Sequence, residues 1–471
     1  MLKRFHYFSI FLGCILLSAI IPIFNFDTKA EESLIFELNE ELKKGNFLIG
    51  LKQYLGGKND TFSQNKNITF TTDNGFLKLH SFNGIKHKAK KIDLTWRDIP
   101  IKNPYKLERS VFGPYASYES AQKQAKNLQE KGFKATVAYP ENWEVWIPFP
   151  NALLKNNFKY KLIKKIYKTQ STPYLIGENN EVQLKGPISI SAVEEIKINN
   201  INFGKRFYLA QDLYGTWTLI QKITFDDYLE GVLPHEIGAN SPLEALKAQA
   251  VIARTWAIYN SERFNMDKYH LCITTQCQVY KRPKLKNKKV QKAIKETSNL
   301  IITYQNRPIN SFYHGSNGGI SATASESWKI GDYSYFKTII DGSRLLKNSI
   351  KIPILNESEL NHFLNSDKKN FYGNNHYLFR WDKKISSQKI TDNLIKNKLI
   401  DKNENIVGLE VEERGFSGRV TKLEIKLNRD NKSIVLVKDE IRRILSFLPS
   451  NLFTINKLND NLWFFRGGGF G

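Results

Sequence analysis

Cysteine is scarce in this chain of 471 residues, which has three in all: Cys14, Cys272 and Cys277. Cys14 lies in an apolar N-terminal run. The rest of the chain therefore has one possible disulfide and too few thiols for an all-cysteine zinc site. Long apolar runs are also missing beyond the first, which confines any membrane contact to the N-terminal segment. Acidic residues are outnumbered, 46 Asp and Glu against 70 Lys and Arg, giving a net charge of +24. The basic residues are dispersed and form no recognisable nucleic-acid motif, which argues against a nucleic-acid partner. Such a charge either holds the protein near anionic envelope polymers and lipids or reflects a lysine- and asparagine-rich bias. No Gly-x-Ser-x-Gly elbow is present, so a serine nucleophile of that type is excluded.

The N-terminus has the layout of a secretory signal. Lys3 and Arg4 precede an uncharged apolar run over 7–24, and Thr28-Lys29-Ala30 offers small residues around a cleavage point. An uncleaved anchor is the alternative, since the run approaches spanning length. A lipidated Cys14 fits poorly, because apolar sequence continues past it. Either way residues 31–471 lie outside the cytoplasm, in the periplasm or cell envelope. That length exceeds one ordinary core, so two or three units are expected. A hydrophobic content of 41% and an aromatic content of 13% exclude a disordered chain.

Residues 31–104 alternate apolar and polar positions in short runs, punctuated by Gly56-Gly57 and Asp73-Asn74-Gly75, and read as β structure. Over 105–150 the texture changes to strand, helix, strand. The predicted helix runs from Ser117 to Lys131, with Ala121, Ala125 and Leu128 on one face and Gly132 as its stop. Strand-like runs resume over 158–220. The fold class is α+β: mainly antiparallel sheets around an Ala-rich helix, with a small β-α-β insert.

That Ala-rich helix follows the most informative stretch. Ser241 reads as its N-cap, Pro242 as its first residue and Glu244 as the partner in a capping box. Leu243, Leu246, Ala250, Ala253 and Ala257 form the stripe to be buried. Glu236 stands on the approach to this helix between apolar residues and Gly238. Partial desolvation there would raise the affinity of its carboxyl for a proton and suit it to proton transfer near neutral pH.

The residues from Tyr228 to Thr255 fit Tyr-Leu-x-Gly-Val-(x)₃-Glu followed by Pro-x-Glu-Ala-Leu-Lys-Ala-Gln-Ala-Val-x-Ala-Arg-Thr. Cys277-Gln278-Val279-Tyr280, Tyr313-His314-Gly315-Ser316-Asn317-Gly318-Gly319, Glu326-Ser327-Trp328 and Gly415-Phe416-Ser417-Gly418-Arg419-Val420 follow in order. This series resembles the stage II sporulation protein D family, SpoIID/LytB, over about 158–471 and plausibly 33–100. The 105–150 segment resembles half of a SPOR domain, a peptidoglycan-binding fold.

The resemblance implies a lytic transglycosylase that cuts peptide-free peptidoglycan glycan and leaves a 1,6-anhydro end. Glu236 would be its acid/base. Lys247, Arg254, Tyr313, His314, Ser316, Asn317, Gly318 and Gly319 would contact the glycan. A non-catalytic glycan-binding protein that stimulates a cell-wall amidase is the other role found in this family. The resemblance also makes zinc possible at His270, Cys272 and Cys277, with a Cys272–Cys277 disulfide or free thiols as the alternatives; no other cofactor is implied. Gln276 stands where zinc-binding members resemble having His. Ile237-Gly238 departs from the family's usual Met-Pro after the Glu. Gly467 to Gly471 matches the start of the family's terminal motif, and the sequence stops before that motif's His.

Overall fold

A computed structural model describes residues 2–4, 38, 40–57, 67–148, 159–282, 286–429 and 432–471. The predicted signal segment, apart from residues 2–4, lies outside the described residues. The architecture is mixed α+β with mostly antiparallel sheets. Four helices carry the description: α1 (Tyr118–Glu130), α2 (Phe225–Glu236), α3 (Leu243–Tyr259) and α4 (Lys288–Glu296). Among the described residues no helix is long and apolar enough to cross a membrane.

The chain forms two compact units. One draws on residues within 1–110, 148–157 and 162–312, the other on 111–147, 158–161 and 313–471. Residues 158–471, over which the sequence resembles one family, are thus distributed over both.

In the first unit the alternating segments pair as two sheets. One has the order Leu271–Cys272, Asn46–Leu55, Trp217–Thr224, Arg206–Gln211, Ile188–Ser191, Leu77–Ser81 and Lys86–Ala89. The other includes Lys161–Ile176, Lys91–Tyr115, Asn67–Thr72 and Ile196–Ile198. Leu77, Leu79, Phe207 and Leu209 of the first sheet and Ile68, Phe70, Ile92 and Leu94 of the second share one buried core. This is what period-2 alternation produces when one face of each sheet meets the other. Phe47, Ile49 and Ile223 belong instead to a second core with α2, α3 and α4. Helices therefore cover part of the first sheet, and α3 lies in that layer with Leu246, Ala250, Ala253 and Ala257 buried as expected.

The second unit contains α1, whose buried face is Tyr118, Ser120, Ala121, Ala125 and Leu128. Ser117 caps it, accepting from the Ser120 N–H at 3.2 Å. The strands Thr136–Ala138 and Trp143–Pro148 pair antiparallel behind it. Ser117 Oγ and Ser120 Oγ both donate to Asp439, at 2.5 and 2.8 Å. Further along, Ile406–Arg414, Val420–Leu427 and Ser433–Val437 form one three-stranded sheet, and Trp381–Ser386, Leu462–Gly467 and Phe453–Asn459 another. A core including Trp381, Leu423, Ile425, Phe453 and Phe465 joins them.

Candidate functional site

Helix α2 opens with Thr224 accepting from the Asp227 N–H at 3.1 Å, and Asp226 and Asp227 occupy its first turn. Both features suit the positive end of a helix. Its last residue is Glu236, and Gly238 at φ +84° ends the run as only glycine does readily. A carboxylate at this end faces the last carbonyls of the helix, an unfavourable location. The main-chain N–H of Val279 offsets this, donating to Glu236 Oε1 at 3.1 Å. Glu236 is half-buried and keeps part of its surface in solvent.

Val279 is placed there by contacts that explain two of the sequence motifs at once. Tyr228 on α2 donates its hydroxyl to Gln278 Oε1 at 3.1 Å, and Gln278 Nε2 donates to the carbonyl of Ala253 on α3. The rings of Tyr228 and Tyr280 stack 5.6 Å apart. Gly231 leaves room for that stack: a Cβ there would stand 2.6 Å from Tyr280 Cδ2 and 3.0 Å from the Lys281 carbonyl. The Lys281 N–H donates to the Gly231 carbonyl at 3.2 Å. The Tyr-Leu-x-Gly-Val and Cys-Gln-x-Tyr motifs are thus two sides of one contact around Glu236.

The start of α3 corrects the expected capping box. Pro242 occupies the N-cap position and makes no side-chain cap, while Ser241 Oγ donates to the Ile237 carbonyl at 2.5 Å. The hydroxyl closes the turn after α2 rather than opening α3, a competing use open to any serine near a free carbonyl. Glu244 lies in an exposed ion pair with Lys247 at 2.8 Å.

Lys247 also meets Glu296 at 2.7 Å, so it bridges α3 and α4. Arg254 is buried. Its Nη1 donates to the carbonyls of Thr297 and Leu300 at 2.8 and 3.0 Å, which fixes the exit from α4. Both positions, implied as glycan contacts, have structural partners here.

Cys272 and Cys277 form a disulfide. His270 is buried, with Nδ1 accepting from the Leu48 N–H at 2.8 Å and Nε2 donating to the Leu38 carbonyl at 3.1 Å. Its two nitrogens and both sulfurs are therefore committed, and the three do not make a zinc site. Among the described residues no group of three or more metal-type side chains converges.

The 313–319 segment belongs to the second unit, where it pairs with the glycine-rich strand end. Ser316 N donates to the Phe470 carbonyl at 3.0 Å, and Phe470 N to the Ser316 carbonyl at 2.7 Å. Asn317 Nδ2 donates to Asp341, and its Oδ1 accepts from the Gly319 N–H, each at 2.7 Å. Gly318 and Gly319 have φ of +68° and +94°, so this turn requires its glycines. Tyr313 is half-buried and His314 exposed, beside it. Arg380 and Arg419 donate to the carbonyls of Gly318 and Asn317.

Sequence reasoning missed Asp212 and Asp267, both buried in the first unit. Asp212 accepts from the Tyr214 and Thr216 N–H groups, and Asp267 accepts from the Tyr214 hydroxyl at 3.0 Å. Burial, then the neighbouring Asp212, pushes Asp267 up to about 8. Their separation in sequence left no local signal.

With known proteins, residues 214–304 match the family model described as stage II sporulation protein, and residues 322–471 match a domain of unknown function, DUF8618. The amidase enhancer of Bacillus subtilis is 38% identical over 100 residues, which is 21% of this chain and 13% of that protein. Stage II sporulation protein D of Bacillus subtilis is 32% identical over 124 residues, 23% of this chain and 36% of that protein. An uncharacterized protein of Brachyspira hyodysenteriae is 36% identical over 110 residues, 23% of this chain and 30% of that protein. The chain thus matches little more than a third, at most, of the length of these relatives.

Proposed function

Through residues 214–304 the chain is a member of the SpoIID family, and from that premise we propose that it acts at the cell wall as a lytic transglycosylase on peptide-free glycan, with Glu236 as its one acid and base. The observation that carries this reading is the Glu236 carboxyl itself. It is half-buried, held through one oxygen by the Val279 N–H, and sits where the two family motifs meet.

One carboxyl is enough for this chemistry. Most glycosidases use two, because water or the protein supplies the nucleophile. In the proposed reaction Glu236 gives its proton to the glycosidic oxygen as the bond to the anomeric carbon breaks. The 6-hydroxyl of the same sugar attacks that carbon and returns its proton to Glu236. The products are a 1,6-anhydro end and a free 4-hydroxyl, with no water consumed.

The protein is proposed to work outside the cytoplasm, where its substrate lies. The Cys272–Cys277 disulfide supports an oxidising compartment. The similarity to an amidase enhancer favours a second reading, a glycan-binding protein that stimulates a cell-wall amidase.

Zymography on denuded glycan with Glu236→Gln separates the two. The enzyme reading expects turnover to fall by roughly two to four orders of magnitude, the usual share of general acid–base catalysis, and anhydro ends to vanish from the products. Glu244→Gln is the control and should leave activity intact, since its carboxylate only pairs with Lys247 at the surface. Glycan binding and amidase stimulation by a wild type that releases no anhydro ends would favour the second reading.

A further inference from the structure

We infer that the Cys272–Cys277 disulfide is a positioning element for Glu236, so that its redox state sets whether the carboxyl is held for catalysis; this rests on the assignment of Glu236 above. The two sulfurs are anchored in different parts of the first unit. Cys272 is buried on the short strand Leu271–Cys272, which pairs parallel to Asn46–Leu55 with Cys272 opposite Gly50. That end is part of the sheet. Cys277 stands two residues before Val279, whose N–H holds Glu236 Oε1.

Between the two sulfurs the chain makes a tight excursion. Cys277 N donates to the Thr274 carbonyl at 2.9 Å, and Arg263 Nη1 donates to the Gln276 carbonyl at 3.0 Å. The return to the sheet side is weaker: the Tyr280 N–H reaches the Ile273 carbonyl at 3.4 Å. Beside the main chain through 273–276, the S–S bond is a second covalent link between the sheet and the segment that carries Val279. Gln278 attaches that segment to α2 and α3 by one hydrogen bond each, Tyr280 stacks on Tyr228, and the Lys281 N–H donates to the Gly231 carbonyl. Without the disulfide those contacts persist one by one, but the backbone between them gains freedom, and the N–H of Val279 is the group that must point at one carboxylate oxygen.

Reduction by a dithiol adds two electrons and two protons. The S–S bond breaks, two thiols form and the dithiol becomes a cyclic disulfide. We expect this to release Val279 from Glu236 while the core of α3, built from Leu246, Ala250, Ala253 and Ala257, stays packed.

The test is hydrogen exchange on peptides spanning 277–281 and 246–257, in the oxidised full chain, the dithiol-reduced chain and a Cys272→Ala, Cys277→Ala double variant. Exchange at 277–281 should accelerate by roughly ten- to a hundredfold in both disulfide-free forms, the equivalent of losing one hydrogen bond to a charged group. The 246–257 peptide should be unchanged. Glu236→Ala in the oxidised protein should accelerate 277–281 as well. On denuded glycan the disulfide-free forms should lose kcat while KM moves little, because orientation of the acid matters after binding. Unchanged exchange at 277–281 on reduction would overturn the inference. Equal acceleration of both peptides would overturn it too, since the bond would then be a general staple. The exchange result stands even if the protein cleaves no glycan, so failure of the catalytic reading is told apart from failure of this one.

Discussion

Ser417 gives both its hydroxyl and its main-chain N–H to the carboxylate of Glu326, across 91 residues of chain. Glu326 is buried, and Gly415 makes room for it: a Cβ at 415 would stand 2.5 Å from Glu326 Cγ. The Glu-x-Trp and Gly-x-Ser-Gly-Arg-Val motifs are therefore one structural joint within the second unit. Glu326→Gln should destabilise by about 1.5–3 kcal/mol, the range for a hydrogen bond to a charged group. Gly415→Ala should cost about 1–3 kcal/mol through overpacking. Denaturant midpoints measure both, and values within about 0.5 kcal/mol of wild type, the level of an ordinary surface change, would refute the joint.

The stack of Tyr280 on α2 makes a second prediction. Gly231→Ala puts a methyl group against Tyr280 and the Lys281 carbonyl. We expect a loss of about 1–3 kcal/mol, together with faster exchange of the Val279 amide, because the same segment carries both. Normal stability and unchanged exchange would mean that the segment yields without consequence.

Asp267 gives a dependence on alkaline pH. Its ordinary value is 3.8, and in the folded state burial, then Asp212, raises it to about 8. The unfolded chain therefore binds fewer protons than the folded one between these values, and this group's contribution to stability declines as pH rises from about 4 to about 8. Asp267→Asn removes the titration while leaving an oxygen for the Tyr214 hydroxyl. Its stability relative to wild type should improve steadily over that window, as read from urea midpoints at pH 5 and 8.5. A difference independent of pH would show that the carboxyl is not the titrating group.

His270 acts in the opposite direction. Burial lowers its ring from 6.5 to about 4. The neutral ring is what the fold requires, with Nδ1 accepting from Leu48 and Nε2 donating to Leu38. Its contribution is complete above the unfolded value and is lost as pH falls from about 6.5 toward 4. His270→Gln should flatten that acid limb of the stability profile, and an unaltered acid limb would rule the ring out as its source.

Much of this architecture was legible in the sequence because its signals are periodic. Alternation over 31–104 and strand-like runs over 158–220 pointed to the strands found within 46–104 and 161–224, and of the stripe Leu243, Leu246, Ala250, Ala253 and Ala257 all but the half-buried Leu243 form the buried face of α3. Glu236 stood out through its surrounding motif. Other features had no local signature. Val279 contributes a main-chain N–H, which any residue but proline could offer, so its identity says nothing of its role. Ser241 had two carbonyl and amide neighbourhoods within reach, and only the folded turn after α2 decides between them. Asp212 and Asp267 become a pair through tertiary structure alone.

The second unit is discontinuous, and this bears on the order in which the chain can be made into a protein. Helix α1 leaves the ribosome some three hundred residues before Asp439, the acceptor for Ser117 and Ser120. The polar cap of α1 stays without its carboxylate until that late segment arrives, while residues 148–157 and 162–312 of the first unit are synthesised in between. Until then α1 carries its two serine hydroxyls without that acceptor. A stretch beginning at 322, the extent of the matched domain of unknown function, would present Asp439 without the two hydroxyls that donate to it.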